Sequence, residues 1–230
     1  TIFLKSNVEL HLTPTSVLLG STNLADYAEG VQGCGFVNEK SIDKCLIYAE
    51  NADNIAITGR GAIDGQGASF VRIKEDGSMG SRPMLTRFFR CSRAIFDGVT
   101  LKNAGAWCSH FRECHDIRVT GVTIHNRVNV NNDGIDLMST SRVRISDCTI
   151  ICNDDAICFQ NMSDDKPVED IVITNCIMST RWAAIRSGGA HKGGIRNVTV
   201  SNCVIRETYG CGIKLQVSGN GSMENMVFSN

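Results

Sequence analysis

From residue 93 onward, the chain repeats one pattern of hydrophobic and polar positions. A short strand of β-branched residues is followed by a Gly, Asn or Asp and then by a second short strand. The turn residue recurs in steps of 23, 26, 28, 27 and 28 residues, at Gly98, Gly121, Asp147, Asn175, Asn202 and Asn230. A weaker copy occupies residues 54–65, and helical periodicity is nowhere sustained over a full helix. Repeats of this length, rich in Val, Ile and Thr, indicate a β-solenoid.

Each repeat is too small to close a core alone, but stacking the repeats as successive coils buries one. Leucine-rich repeats have a similar period, but their Leu-rich signature is absent here. At a strand spacing of about 4.8 Å, like side chains then line up from coil to coil. One such inward column comprises Cys148, Cys176 and Cys203. We therefore expect an all-β parallel β-helix with coils of about 22–28 residues, forming a single domain over residues 1–230.

A second column falls later in each coil, at Ile135, Ile157, Ile185 and Ile213. If these isoleucines point inward, the alternation of a β-strand sends each following residue outward. The outward column then comprises Asp136, Cys158, Arg186 and Lys214.

Three carboxylates converge on two neighbouring coils just before this column. Asp133 lies one coil from Asp155, and Asp154 is beside it. Carboxylates this close repel each other, so one of them should have the raised pKa that glycoside hydrolysis requires of its acid. Cationic side chains on the next two coils suit an acidic sugar, and they are Arg181, Arg186 and Lys214.

The same residues allow other interpretations. The acids could lie in solvated turns, or they could bind calcium as in a β-helical polysaccharide lyase. A lyase would also need a Lys or Arg base, which Lys214 could supply. A solenoid that binds glycans without cleaving them is a further alternative.

Composition narrows the classes of function. Lys and Arg number 23 against 24 Asp and Glu, and this net charge of −1 disfavours a nucleic-acid binder. No apolar run approaches the roughly 20 residues of a membrane span, and no leader precedes the first strand pattern. The 11 cysteines form no CxxC pair and no zinc-like spacing. We therefore expect small buried core residues rather than a disulfide framework, and no metal site.

Four motifs, taken in order, resemble those of a known family. They are GAIDGQG at 61–67, Trp107 with His110, the run Asn131, Asn132, Asp133 and Gly134, and the pair Asp154 and Asp155. On β-helical repeats, this ordered set resembles the family 28 glycoside hydrolases, the polygalacturonases and their relatives. The resemblance implies a right-handed parallel β-helix. It also implies an inverting hydrolase of an acidic pectic polysaccharide or oligosaccharide that needs no cofactor.

The resemblance also implies roles for individual residues. Asp154 would be the general acid, and Asp133 and Asp155 would hold and deprotonate the attacking water. Asn131, in the same motif as Asp133, is expected to bind substrate. Lys214 falls where the family has a Lys near the sugar carboxylate.

Two positions depart from the family pattern. Alignment on Ile185 puts Arg181 in the position of the family's His, and the Arg of the family's Arg-Ile-Lys falls on Gly212. We expect Arg186, one coil from Lys214 in the outward column, to replace the lost guanidinium. The departures leave open a different pectic backbone such as rhamnogalacturonan, exo-action, or loss of activity.

The chain begins within a strand pattern and stops on a turn position. We therefore expect the family's capping helix and further coils to lie outside this sequence. The polar segment 72–83 is expected to form a mobile wall of the cleft. A pectic substrate implies an extracellular or periplasmic location, and the sequence indicates no oligomeric state.

Overall fold

The computed structural model describes residues 1–29, 31, 41–161, 166–190, 193–217 and 220–230, without the side chains of residues 189 and 190. Within these residues, 23 strands form three parallel sheets, called sheets A, B and C below. Each complete coil contributes one strand to each sheet in turn, so neighbouring strands of a sheet are three strands apart along the chain.

The strands are numbered in chain order. Sheet A comprises β1 (Ile2–Leu4), β4 (Cys45–Glu50), β7 (Met84–Phe89), β10 (Ser109–Arg112), β13 (Ile135–Met138), β16 (Ile157–Asn161), β19 (Ala183–Ala190) and β22 (Cys211–Lys214). Sheet B comprises β2 (Glu9–Leu12), β5 (Asp53–Gly59), β8 (Ser92–Asp97), β11 (His115–Thr120), β14 (Ser141–Ser146), β17 (Val168–Thr174), β20 (Ile195–Ser201) and β23 (Met223–Ser229). Sheet C comprises β3 (Val17–Leu19), β6 (Ala62–Asp64), β9 (Thr100–Lys102), β12 (Thr123–Asn126), β15 (Thr149–Cys152), β18 (Ile177–Thr180) and β21 (Val204–Ile205).

This topology confirms the predicted all-β right-handed parallel β-helix. The predicted isoleucine column is also confirmed, because Ile135, Ile157, Ile185 and Ile213 are register partners on successive strands of sheet A. Two short 3₁₀ helices, Leu24–Asp26 and Gly67–Ser69, lie between strands. Among the described residues, no helix has the length and apolar content needed to cross a membrane.

The core is one hydrophobic column enclosed by the three sheets. Three buried rings pack against one another there in tilted and edge-to-face arrangements, with ring centroids 5.3–5.6 Å apart, at Phe88, Phe96 and Phe111. Eight of the ten cysteines that the structure describes are buried free thiols. Seven of the eight belong to the hydrophobic core, whereas Cys158 is buried in the outward column, so the prediction that cysteines serve as small core residues is confirmed for seven.

The predicted turn column has a backbone cause. Its residues adopt left-handed φ angles of 71°, 62°, 58°, 56° and 52°, at Gly98, Gly121, Asp147, Asn175 and Asn202. Gly, Asn and Asp tolerate this conformation best. The side chains add a ladder of their own, because Asn175 Nδ2 donates to Asp147 Oδ1 at 3.3 Å.

A second left-handed column begins the strands of sheet B and was not predicted. It comprises Asn54, Arg93, Asp116, Arg142, Asp170, Asn197 and Asn225, with φ angles between 49° and 58°. Two of its members are arginines, which gave no turn signal in the sequence.

Replacing Phe111 by Ala should lower the free energy of unfolding by about 3–5 kcal/mol, because it opens a cavity among the three packed rings. Urea denaturation measures the loss. Val172→Ala is the control, since Val172 lies on the outer face of β17 and is 43% exposed. The free energy of unfolding of the Val172→Ala chain should lie within about 0.5 kcal/mol of that of the parent chain. Equal losses in the two variants would contradict the placement of Phe111 in the core.

Candidate active site

The three predicted aspartates lie at one corner of the β-helix, where the chain passes from sheet C to sheet A. Asp133 lies between β12 and β13, and Asp154 and Asp155 lie between β15 and β16. The backbone N–H of Gly134 donates to the Asp155 carbonyl at 2.8 Å, so the two turns stack directly. A Cβ at Gly134 would lie 2.3 Å from the Ala156 carbonyl oxygen, so glycine is needed for this close approach.

Two buried asparagines hold the first of these turns. Asn126 Nδ2 donates to the carbonyls of Ala106 and Asp133, at 3.1 and 2.9 Å. Asn132 Nδ2 donates to the carbonyls of Ala104 and Ala106, at 2.9 and 2.8 Å. Because these amides satisfy buried backbone oxygens, they fix the path of the chain before β13. The role of Asn126 was not predicted.

The carboxylates meet at a cavity of about 230 Å³. One carboxylate oxygen from each of Asp133, Asp154 and Asp155 lies within 4.8 Å of the other two. Asp133 and Asp155 are buried, whereas Asp154 is half-buried. The cavity is also lined by the polar side chains of Ser41, Arg72, Arg82, Asn131, Gln160 and Arg186. Three acids and three guanidinium groups therefore surround one small space.

Burial raises the pKa of all three acids. It raises the pKa of Asp155 to about 6, although the Arg186 guanidinium opposes this through a contact of 2.7 Å between Nη1 and Asp155 Oδ2. Burial also raises the pKa of Asp154, opposed by a hydrogen bond of 3.2 Å from Asn131 Nδ2 to Oδ2. Burial, reinforced by the neighbouring carboxylates, raises the pKa of Asp133 well above its ordinary value. The cluster therefore holds protons more tightly than free aspartates do.

A fourth buried carboxyl, Asp136 on β13, belongs to the same electrostatic cluster. Its Oδ1 accepts a hydrogen bond of 3.3 Å from Gln160 Nε2, and its Oδ2 has no hydrogen-bond partner among the described residues. It lies in register between His110 on β10 and Cys158 on β16. Burial and the Asp155 charge raise its pKa well above the ordinary value. The sequence placed Asp136 in the outward column, but nothing there marked it as part of the cluster.

Buried polar atoms without a hydrogen-bond partner gather at this site. In the part of the chain that the structure describes, they include Asp133 Oδ1, Asp155 Oδ1, Gln160 Oε1, Arg82 Nε and Arg186 Nε. Folded proteins satisfy nearly all of their buried polar groups. Such a concentration around one cavity is typical of a site whose partner is a ligand.

Comparison with known proteins identifies the family of this chain. Residues 5–230 match the family model described as Glycosyl hydrolases family 28. The chain belongs to glycosyl hydrolases family 28.

The relatives of this family 28 chain include proteins named as a polygalacturonase and as a galacturonosidase. A probable polygalacturonase of Vitis vinifera is 30% identical over 193 residues, which cover 79% of this chain and 39% of the relative. An exo-poly-alpha-D-galacturonosidase of Dickeya chrysanthemi is 23% identical and covers 100% of this chain and 47% of the relative. This chain thus spans less than half the length of either relative.

A solved structure shows that the fold is shared. A hyperthermoactive exopolygalacturonase from Thermotoga maritima matches with a TM-score of 0.81 and 24% identity, over 97% of this chain and 60% of that one.

The family 28 chain brings together only some of its predicted substrate-binding residues. Arg186 and Asn131 line the cavity, each with a direct contact to one of the aspartates. Lys214 is the register partner of Arg186 on β22, and its ammonium lies 4.6 Å from the Trp182 ring centroid. Lys214 and the exposed Arg181 are not among the described residues that line the cavity. Substrate binding by these two residues stays a prediction.

Two cavity arginines, Arg72 and Arg82, were not predicted individually. Both belong to the polar segment 72–83, which does line the cavity. Arg82 Nη1 donates to the Val130 carbonyl at 2.6 Å, and Nη2 donates to Asn131 Oδ1 at 3.1 Å. The composition of the segment indicated a cleft wall. The periodicity of the repeats does not predict the path of this loop, so it could not show which of the loop's arginines face the acids.

Replacing Asp136 by Asn should stabilise the protein at pH 7 and have little effect near pH 4. The raised pKa means that the folded chain binds this proton more tightly than the unfolded chain, so the carboxyl destabilises the fold as pH rises above about 4. Asparagine keeps the Oδ1 acceptor for Gln160 and cannot ionise. Urea denaturation between pH 4 and pH 7 measures the difference.

Asp97→Asn is the control for this test, because Asp97 is an exposed residue at the end of β8. Two results would contradict the raised pKa of Asp136. One is an Asp136→Asn chain that is less stable than the parent chain at pH 7, and the other is a change in stability that is the same at pH 4 and pH 7.

Proposed function

We propose that the protein is an inverting glycoside hydrolase that cleaves a pectic polysaccharide or oligosaccharide containing galacturonic acid. The observation that carries the proposal is the convergence of Asp133, Asp154 and Asp155 on a cavity that three arginines also line. Membership of family 28 and the polygalacturonase names of the relatives support the reaction class. The loss of the family's His and Arg keeps rhamnogalacturonan among the candidate backbones.

Asp154 is the proposed general acid. It is the half-buried member of the trio, so a leaving-group oxygen in the cavity can reach it. It accepts its hydrogen bond from the neutral amide of Asn131 rather than from a cation, and burial raises its pKa. Both features favour a carboxyl that holds a proton until the glycosidic oxygen accepts it.

Asp155, with Asp133, is the proposed partner of the attacking water. The Arg186 guanidinium contacts Asp155 and stabilises its ionised form, which a general base needs. One carboxylate oxygen from each member of the trio lies within 4.8 Å of those of the other two. A single water bridging Asp133 and Asp155 fits that space. Carboxylates on this side also stabilise the positive charge that develops on the sugar ring.

A calcium-dependent lyase is the second candidate, and one observation favours it. The three carboxylate oxygens are close enough together to bind a common divalent cation. A lyase leaves an unsaturated sugar and loses activity with a chelator, whereas the proposed hydrolase does neither.

The proposal includes the setting in which the protein works. Its partner is the polysaccharide or oligosaccharide substrate, and we place the protein in the extracellular or periplasmic space, where such polymers are found.

Reducing-end release from polygalacturonate and rhamnogalacturonan, with a chelator present, tests the proposal. The parent chain should release reducing ends without forming an unsaturated product. Asp154→Asn should lower kcat by about 10²–10⁴-fold, because it removes the proton donor while keeping the side-chain shape.

Asp97→Asn is the control, because Asp97 lies at the end of β8 in sheet B and not at the corner that holds the three acids. This variant should keep the rate of the parent chain. Loss of release on chelation, together with an unsaturated product, would establish the lyase instead. Substrate binding without any release would contradict catalysis and favour a glycan-binding solenoid.

A further inference from the structure

An exposed tryptophan lies at the same corner of the β-helix as the three acids, one coil further along the chain. Trp182 is in the turn between β18 and β19, and the turn with Asp154 and Asp155 has the same place in the preceding coil. The backbone N–H of Ala156 donates to the Ala183 carbonyl at 2.9 Å, so the two turns stack directly. Trp182 is 43% exposed, and the proposed catalytic steps do not use it.

Exposed aromatic side chains are few in this protein. Within the part of the chain that the structure describes, only Phe3, Trp182 and Tyr209 are exposed aromatic residues. The other tryptophan, Trp107, is 8% exposed and packs edge-to-face against the His110 ring, with centroids 5.3 Å apart. Packing therefore accounts for Trp107. It does not account for Trp182, whose large apolar ring is left partly in water, as tryptophans at binding surfaces commonly are.

Hydrogen bonds hold the backbone of Trp182 on both sides. Its N–H donates to Thr180 Oγ1 at 3.0 Å, and that hydroxyl donates to the Asp154 carbonyl. Its carbonyl accepts from the N–H of Cys211 at 2.9 Å. A Cβ at Gly210 would lie 2.5 Å from the same carbonyl oxygen, so glycine is needed for the close approach of the next turn. Trp182 and the turn of the proposed general acid therefore belong to one hydrogen-bonded unit.

A cation restrains the ring itself. Lys214 Nζ lies over the Trp182 ring, 4.6 Å from its centroid, and this cation–π contact favours one orientation of the ring. Lys214 is also the register partner of Arg186, which lines the cavity. The ring therefore lies beside the cavity, on the coil that follows the acids.

A fixed and partly exposed indole ring suits the face of a sugar. A pyranose ring presents C–H bonds on its faces, and the electron-rich face of an aromatic ring attracts them. Tryptophan loses little conformational entropy on binding, because its side chain has two χ angles. Successive coils are about 4.8 Å apart, so a unit that follows the one in the cavity can reach the coil of Trp182. Such a contact does not depend on the charge of the sugar.

We propose that Trp182 is a stacking platform for the pyranose ring of the sugar unit next to the one that meets the acids. The inference rests on the proposed function, which it deepens by naming a residue that recognises the substrate through apolar contact rather than charge. A galacturonic acid unit and its methyl ester therefore both stack on this ring.

Binding calorimetry on a chain carrying Asp154→Asn tests the platform without turnover. The probes are trigalacturonate and its fully methyl-esterified form. Adding Trp182→Leu should weaken the binding of both ligands by about tenfold, since one stacked aromatic contact is lost. Trp182→Tyr keeps an aromatic ring and should recover part of the loss. Weakened binding of the acid alone would overturn the platform, because Trp182 would then act only by holding Lys214.

Acrylamide quenching of tryptophan fluorescence gives a second measurement. The sequence has two tryptophans, and the Trp182→Leu chain shows the contribution of Trp107 by itself. After that contribution is subtracted, either ligand at saturation should lower the quenching of Trp182 in the Asp154→Asn chain. Unchanged quenching of Trp182 would overturn the platform.

Phe3→Leu is the matched control, because Phe3 is an exposed aromatic residue on β1, five strands from β16 in sheet A. It should leave both affinities unchanged. No weakening by Trp182→Leu, or no binding of either ligand to the Asp154→Asn chain, would overturn the platform even if the parent chain hydrolyses its substrate. Weakened binding of both ligands, together with a parent chain that hydrolyses no substrate, would support the platform while contradicting the proposed function.

Discussion

The hydrogen-bonded register between successive coils decides which side chains meet in this protein. Parallel pairing on sheet A makes Ile135, Ile157 and Ile185 neighbours inside the helix, and it makes Asp136 a neighbour of Cys158 outside it. The same register stacks the turn containing Asp133 on the turn containing Asp155. A shift of one residue in any coil would exchange the inner and outer faces of its strands and disperse the acids. The left-handed turn residues, and the close approach of the Gly134 backbone to the Ala156 carbonyl, help to keep the coils in this register.

The site buries several carboxyl groups close together and offsets part of the electrostatic cost with an ion pair. Burial of four carboxyl groups at one corner is unfavourable in itself, and it raises their pKa values. Arg186 relieves part of the strain by pairing with Asp155. Several of the buried atoms that lack a partner among the described residues belong to side chains that line the cavity, where a bound ligand can supply the missing hydrogen bonds. Stability is thereby lowered where the proposed chemistry requires tightly held protons and a partner for an anion.

Periodicity was enough to predict the fold and the convergence of Asp133, Asp154 and Asp155, because a solenoid repeats its register in the sequence itself. The Ile column, the turn column and the outward column from Asp136 to Lys214 are all present as predicted. The cavity walls were harder to predict. Arg72 and Arg82 come from a loop whose path follows from tertiary contacts with Val130 and Asn131, and no repeat encodes such contacts. The burial of the outward column was not predicted either, since Asp136 and Cys158 are fully buried in the structure rather than exposed.

The stereochemistry of cleavage tests the central claim most directly. Proton NMR of trigalacturonate during the first minutes of reaction follows the anomeric signal of the new reducing end. The named substrate of the Dickeya chrysanthemi relative has alpha linkages. A water activated by Asp133 and Asp155, opposite the acid Asp154, should therefore release the β-anomer first, before mutarotation produces the α-anomer. Initial release of the α-anomer, or of an unsaturated sugar, would contradict the account of an inverting aspartate trio.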